Sequence, residues 1–210
     1  MISNINNEIY LRRVGLTLPS ITNSCNTLRD LVVEKLTPGF DTYPGRKFET
    51  SYGTESMESG PEFFGNYVFK YNLFMYPYDQ FHDLYNEIKK TFIEVNPNYY
   101  NEKYYISGWV NFNKPGDFVD WHQHRQGIED TWHTVYYANA DSSKITYEFL
   151  NDGSIHDIDC EDNLLIVAKN SNTRHRTWPW EGEGERISIA TNIMPWHQIE
   201  PGWVNYWVPL

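Results

Sequence analysis

Residues 104–113 read Tyr104-Tyr105-Ile106-Ser107-Gly108-Trp109-Val110-Asn111-Phe112-Asn113, and Lys114-Pro115-Gly116-Asp117 follows at once. This is a strand-like run delivered into a tight turn, and it marks where the chain changes its period. Before it, Phe81, Leu84, Tyr85, Ile88 and Phe92 recur at helical spacing. That stripe predicts a helix beginning at Asp79 and stopped by Asn96-Pro97. After it come short β-type runs at 119–124, 132–138, 144–150, 164–169, 186–193 and 203–208. Turn signals such as Asn151-Asp152-Gly153 separate them. Successive short strands without intervening helices predict a sandwich, jelly roll or barrel.

Working outward, residues 1–60 read as an irregular lead with one helix. Ser24 is placed to cap it, Leu28, Leu31, Val32 and Leu36 form its stripe, and Pro38-Gly39 ends it. Residues 40–60 read as a long loop, a candidate lid or specificity element. The expected organisation is one domain over 1–210. Residues 1–100 form an N-terminal extension with two helices, and 101–210 the β core. The fold class is therefore mainly β with flanking helices.

Composition narrows the function. The chain has 28 acidic and 17 basic residues, a net charge of −11. That argues against a nucleic-acid grip of clustered Lys and Arg. Aromatics make up 17% of the residues, far above what disordered chains carry, so a real core is expected. No apolar run approaches the roughly 18 residues of a membrane span. The first residues lack a signal-peptide layout, and Cys25 and Cys160 are too few for a disulfide framework. These features point to a cytoplasmic protein, in the host cytoplasm if it is viral. All eight tryptophans lie from Trp109 onward, and six of the seven histidines from His122 onward. The chemistry is therefore expected in the C-terminal half.

Three features there carry it. In Asp120-Trp121-His122-Gln123-His124-Arg125, His122 and His124 share one face if the segment is extended, close enough to share a metal ion. The plain alternative is two half-exposed rim histidines. His175, in Thr173-Arg174-His175-Arg176-Thr177, is a third imidazole from a second region; the plain alternative is a surface-loop histidine. In Arg186-Ile187-Ser188-Ile189-Ala190-Thr191-Asn192, the Arg and Ser share a strand face. A planar two-pronged donor beside a hydroxyl makes a carboxylate clamp. The alternative is the outward polar side of an edge strand.

The order of these pieces resembles the 2-oxoglutarate/Fe(II)-dependent dioxygenases, most closely a microbial and phage group of 2OG-Fe(II) oxygenases. The matching motifs are Trp109-Val110-Asn111, Gly116, His122-Gln123-His124, Tyr136-Tyr137, His175, and Arg186-Ile187-Ser188 running to Asn192. They span roughly residues 104–195. The resemblance implies a double-stranded β-helix (jelly roll) with the N-terminal helices packed on one sheet. It implies Fe(II) held by His122, His124 and His175, and 2-oxoglutarate bound by Arg186 with help from Ser188. Tyr136, or its neighbour Tyr137, and Asn111 are implied to line the co-substrate pocket. The implied reaction is hydroxylation of a small-molecule or peptide substrate with release of succinate and carbon dioxide.

One departure stands out. Most of that superfamily has a carboxylate where this chain has His124. His124 replaces it, or the metal has two protein ligands, or an acid such as Asp120, Glu129 or Asp130 swings in; extended spacing favours the first. Trp121, Trp132, Trp178 and Trp180 flank the motifs as pocket wall or ordinary core. His133 and His197 either stand beside the metal ligands or are unrelated to the site. Cys160 is expected near a turn. Two other functions stay open: a cupin-type metal enzyme on the same architecture, and a tryptophan-rich β-sandwich binding module without catalysis. A structural role in a virion has no specific support.

Overall fold

The structure is a computed structural model, and it describes residues 1–40, 71–124, 130–140, 143–199 and 206–210, with only the backbone over 32–40. The chain opens with a hairpin, β1 (Ile2–Ile5) and β2 (Ile9–Arg13), and then α1 (Leu18–Phe40). After α2 (Asp79–Val95) come β3 (Tyr104–Asn113), β4 (Trp132–Asn139), β5 (Ser143–Phe149) and β6 (Ile155–Cys160). β7 (Leu164–Lys169), β8 (Thr173–Thr177), β9 (Arg186–Pro195) and the short β10 (Val208–Pro209) complete it.

Two antiparallel sheets result. One has seven strands in the order β1-β2-β7-β4-β9-β3-β10, the other three in the order β6-β5-β8. From β4 to β9 the chain passes from the large sheet to the small one and back twice, the alternation of a jelly roll. The sheets face each other over a core that includes Val135, Tyr137 and Ile166 from the large sheet and Ile145, Tyr147 and Ile158 from the small one. The other face of the large sheet shares a second core with the helices. There Ile21 and Leu28 of α1 and Phe81, Leu84 and Phe92 of α2 lie with Val110, Tyr136, Val167 and Ile189. Phe92 meets Tyr104 and Trp132 edge-on, with centroids 4.9 and 5.4 Å apart. Each such buried side chain contributes about 1.5–3 kcal/mol.

Several expectations change. The N-terminal lead is not irregular: β2 pairs with β7 from Ile9↔Ala168 to Arg13↔Leu164 and extends the large sheet. Helix α1 begins at Leu18, so Ser24 lies inside it and donates its hydroxyl to Gln80 Oε1 (2.9 Å) instead of capping. β6 and β8 were not expected. The expectation for Cys160 holds: it ends β6, buried, beside the turn at Asp162-Asn163. Most of the loop expected over 40–60, and residues 203–205 of the last expected strand, lie outside the described residues. Helix α2 and strands β3 and β7 have the expected ends.

Strand β9 lies between β4 and β3 in the large sheet, so it is hydrogen-bonded on both sides. Its alternation sends Ile187, Ile189 and Ile193 to the helices and leaves Arg186, Ser188, Ala190 and Asn192 facing the small sheet. This polar row on a buried strand positions the site.

Candidate metal and co-substrate site

The 119–124 segment is not a full strand, but it runs along β8 as one. Thr177 N–H donates to the Val119 carbonyl (2.9 Å), and His122 and His175 exchange backbone hydrogen bonds of 2.9 and 3.0 Å. Paired residues in an antiparallel ladder put their side chains on the same face. The His122 and His175 rings accordingly lie 4.2 Å apart, and His124, two residues on, lies 5.2 and 5.1 Å from them. One nitrogen from each of the three falls within 4.8 Å of the others. They form the one such group of His, Cys, Asp and Glu side chains among the described residues.

The second nitrogens explain the ring orientations. His122 Nδ1 donates to the Asp120 carbonyl (2.9 Å), and His124 Nδ1 to Asn192 Oδ1 (2.8 Å). Each bond puts the proton on Nδ1 and leaves the Nε2 lone pair for a ligand. His175 has no such bond, and its buried Nδ1 is without a partner. Burial pulls His122 below the ordinary histidine range. It pulls His124 and His175 well below, with the neighbouring imidazoles adding to the effect. Neutral imidazoles are what a transition metal needs.

A fourth histidine, whose place the sequence left open, completes the cluster. His133 of β4 stacks on His124 (4.6 Å, 6°) and on His175 (4.6 Å, 20°). Its position is inward because Trp132 and Tyr136 on the same strand face the helices. His197 is elsewhere, paired with Glu102 at the surface. The Asp120 carboxylate accepts from the Trp121 amide (2.7 Å), Asp130 is exposed, and Glu129 lies outside the described residues.

Arg186 is 1% exposed. Its Nη1 donates to Ser143 Oγ (2.8 Å) and the Trp178 carbonyl (3.3 Å), Nη2 to Thr177 Oγ1 (3.1 Å), and Nε to Asn113 Oδ1 (3.4 Å). Every acceptor is neutral, and no carboxylate among the described residues pairs with it. Burial pulls the guanidinium below its ordinary value, yet arginine stays charged in proteins. Beside it Asn113 Nδ2 is buried without a partner. So is the Tyr137 hydroxyl, whose pKa burial and the nearby Cys160 raise well above the usual.

Ser188 and Asn111 are register partners, so both share this inward face. Tyr136 does not. Its ring lies in the helix-facing core and its hydroxyl donates to Asn163 Oδ1 (2.8 Å). Alternation along β4 places Tyr137, not Tyr136, on the side facing the small sheet. Thr177 was not singled out in the sequence, although its place two residues after His175 on one strand face is a signal for it. Ser143 and Asn113 had no signal in the sequence, because only sheet packing brings them to Arg186. Of the flanking tryptophans, Trp132 and Trp180 are buried. Trp121 and Trp178 sit with Arg176, whose guanidinium lies 4.9 and 5.5 Å from their rings.

No protein-family model matches the chain, and no curated protein matches it. Solved structures do. A prolyl-4-hydroxylase from Pseudomonas putida is 22% identical, with 53% of this chain and 62% of that one covered and a TM-score of 0.43. A prolyl hydroxylase from Trichoplax adhaerens, solved with a hypoxia-inducible-factor peptide, is 14% identical over 56% and 57%, TM-score 0.46. A 2OG-Fe(II) oxygenase family oxidoreductase from Burkholderia pseudomallei is 16% identical over 44% and 45%, TM-score 0.39. The matched region spans about three-fifths of the first two.

Proposed function

We propose that this chain is an Fe(II)- and 2-oxoglutarate-dependent oxygenase that hydroxylates a small-molecule or peptide substrate. One observation carries the reading: a buried arginine with only neutral partners lies on the same inward side of the sheets as the histidine trio. Thr177, which contacts Arg186, is two residues from His175 on one face of β8, about 7 Å along the strand. A buried cation without an anion is costly, and an anionic ligand removes the cost.

The residues fit both groups. His122, His124 and His175 would hold Fe(II) through neutral nitrogens. Arg186 would pair with the far carboxylate of 2-oxoglutarate, and Tyr137, Asn113, Ser188 and Asn111 would line that end. Asp120 and Asn192 hold the His122 and His124 rings at the protons of their Nδ1 atoms, so the ligand lone pairs need no reorganisation. Iron and 2-oxoglutarate held there would supply the activation of dioxygen, the oxidant: one oxygen atom would enter succinate as the co-substrate loses carbon dioxide, and the other the substrate hydroxyl. A third neutral ligand leaves the full metal charge on the site, which strengthens its hold on an anionic co-substrate. The His124 placement supports a three-histidine set over a swung-in carboxylate.

A cupin-type enzyme would account for the histidines but not for Arg186. A tryptophan-stacking module would not gather the three histidines. The test is succinate release from 2-oxoglutarate with added Fe(II) and ascorbate, across a panel of peptides and small metabolites. Absence of both 2-oxoglutarate binding and turnover in iron-loaded protein would sink the proposal.

A further inference from the structure

We propose that His133 is a positioning residue that sets the plane of the His175 imidazole in the metal centre. The inference rests on the reading of His122, His124 and His175 as metal ligands.

The three ligand rings are not held alike. His122 and His124 are each tied by a hydrogen bond from Nδ1, whereas no hydrogen bond holds the His175 ring. A planar ring on a single χ2 torsion needs some other restraint. His133 supplies it. Its face lies 4.6 Å from His175 at 20° and 4.6 Å from His124 at 6°, so one ring packs against two. Tyr147, the register partner of His175, adds a ring contact at 5.0 Å.

His133 can act as a fixed wall because it is itself fixed. Its Nδ1 donates to Asn170 Oδ1 (2.6 Å), and its Nε2 accepts from the Tyr147 hydroxyl (2.9 Å). Both nitrogens are committed, so the residue is not available as a fourth ligand. The Asn170–His133–Tyr147 chain is wholly buried and joins β4 to β5 across the two sheets. It transmits the spacing of the sheets to the ring plane of one ligand.

Co(II) alone is a suitable probe, read by titration and by its d–d absorption. His133→Ala, folded by circular dichroism, should bind Co(II) about 10–100-fold more weakly, with an altered d–d band shape. His133→Phe keeps the flat ring and should recover most of that affinity and the wild-type band. Tyr147→Phe removes one hydroxyl, should fold, and should weaken Co(II) binding several-fold with a smaller spectral change. Wild-type affinity and spectrum in folded His133→Ala would overturn the proposal. If that variant does not fold, an unchanged spectrum in Tyr147→Phe overturns it. If His133→Phe binds as poorly as His133→Ala, stacking is not the restraint and the proposal also fails. Absence of Co(II) binding by the wild-type protein would remove the metal centre itself, an outcome distinct from these.

Discussion

His175 and Arg186 show what single residues do here. Each sits where a strand turns a polar side chain inward, and each is left with something unsatisfied: a bare Nδ1 in one, a charge without an anion in the other. His175→Ala should abolish Fe(II) or Co(II) binding, since two imidazoles remain of a three-point site. Arg186→Ala should leave metal affinity within a few-fold but raise the 2-oxoglutarate requirement at least tenfold, an interaction worth about 1.5–3 kcal/mol for a charged hydrogen bond. Equal behaviour of the two variants in metal titration and co-substrate saturation would show that the roles are not separate. His122, His124 and Arg186 were legible because i, i+2 alternation needs no tertiary knowledge. Tyr136 was not, since a one-residue offset reverses the face and only the packed sheet says which residue points in.

At the scale of elements, strand legibility followed hydrophobic pattern. β7 (Leu164–Lys169) is a continuous apolar run, and its ends were readable. β8, with Arg174, His175 and Arg176 at its centre, has no apolar signal; it is a strand because β5 pairs with it from Ile145↔Thr177 to Phe149↔Thr173. β6 carries Asp157 and Asp159, which strands disfavour, on its outer face. One side chain ties several elements together. Buried Asn72 accepts from the Phe74 and Gly108 amides (3.2 and 3.1 Å). It also donates to the Ile106 and Tyr206 carbonyls (3.0 and 2.9 Å). Asn72→Leu should lower stability by about 2–4 kcal/mol, because it strands several buried backbone groups at roughly 1–3 kcal/mol each before relaxation. Denaturant melts check this, and a loss below 1 kcal/mol would mean the contacts are not kept in solution.

For the molecule as a whole, the buried histidines link stability to pH. Burial holds His133 down at about 4, against 6.5 for a free imidazole, and His122, His124 and His175 are lowered too. The unfolded chain therefore binds more protons as pH falls below about 6.5, and stability drops with it. The loss should continue towards pH 4, with His133 alone accounting for about 3 kcal/mol at 1.36 kcal/mol per pH unit. Urea melts between pH 7 and pH 4 measure the slope, and a flat profile would contradict the burial of these rings. Metal should act in the opposite direction. Fe(II) or Co(II) at a hundred times its dissociation constant should stabilise the fold by about 2.7 kcal/mol, seen as a raised Tm.

The sequence by itself determined the periods, and hence which residues alternate. A mainly β chain, a helix over 79–95, a His122/His124 face and an Arg186/Ser188 face all follow from spacing of two or 3.6. Tertiary structure decided which face turns inward and which strands meet. It brought His175 to His122, set His133 against both His124 and His175, and placed Ser143 and Asn113 around Arg186. The physical reason is that strand pairing joins residues far apart in the chain, and nothing local in the sequence records the partner.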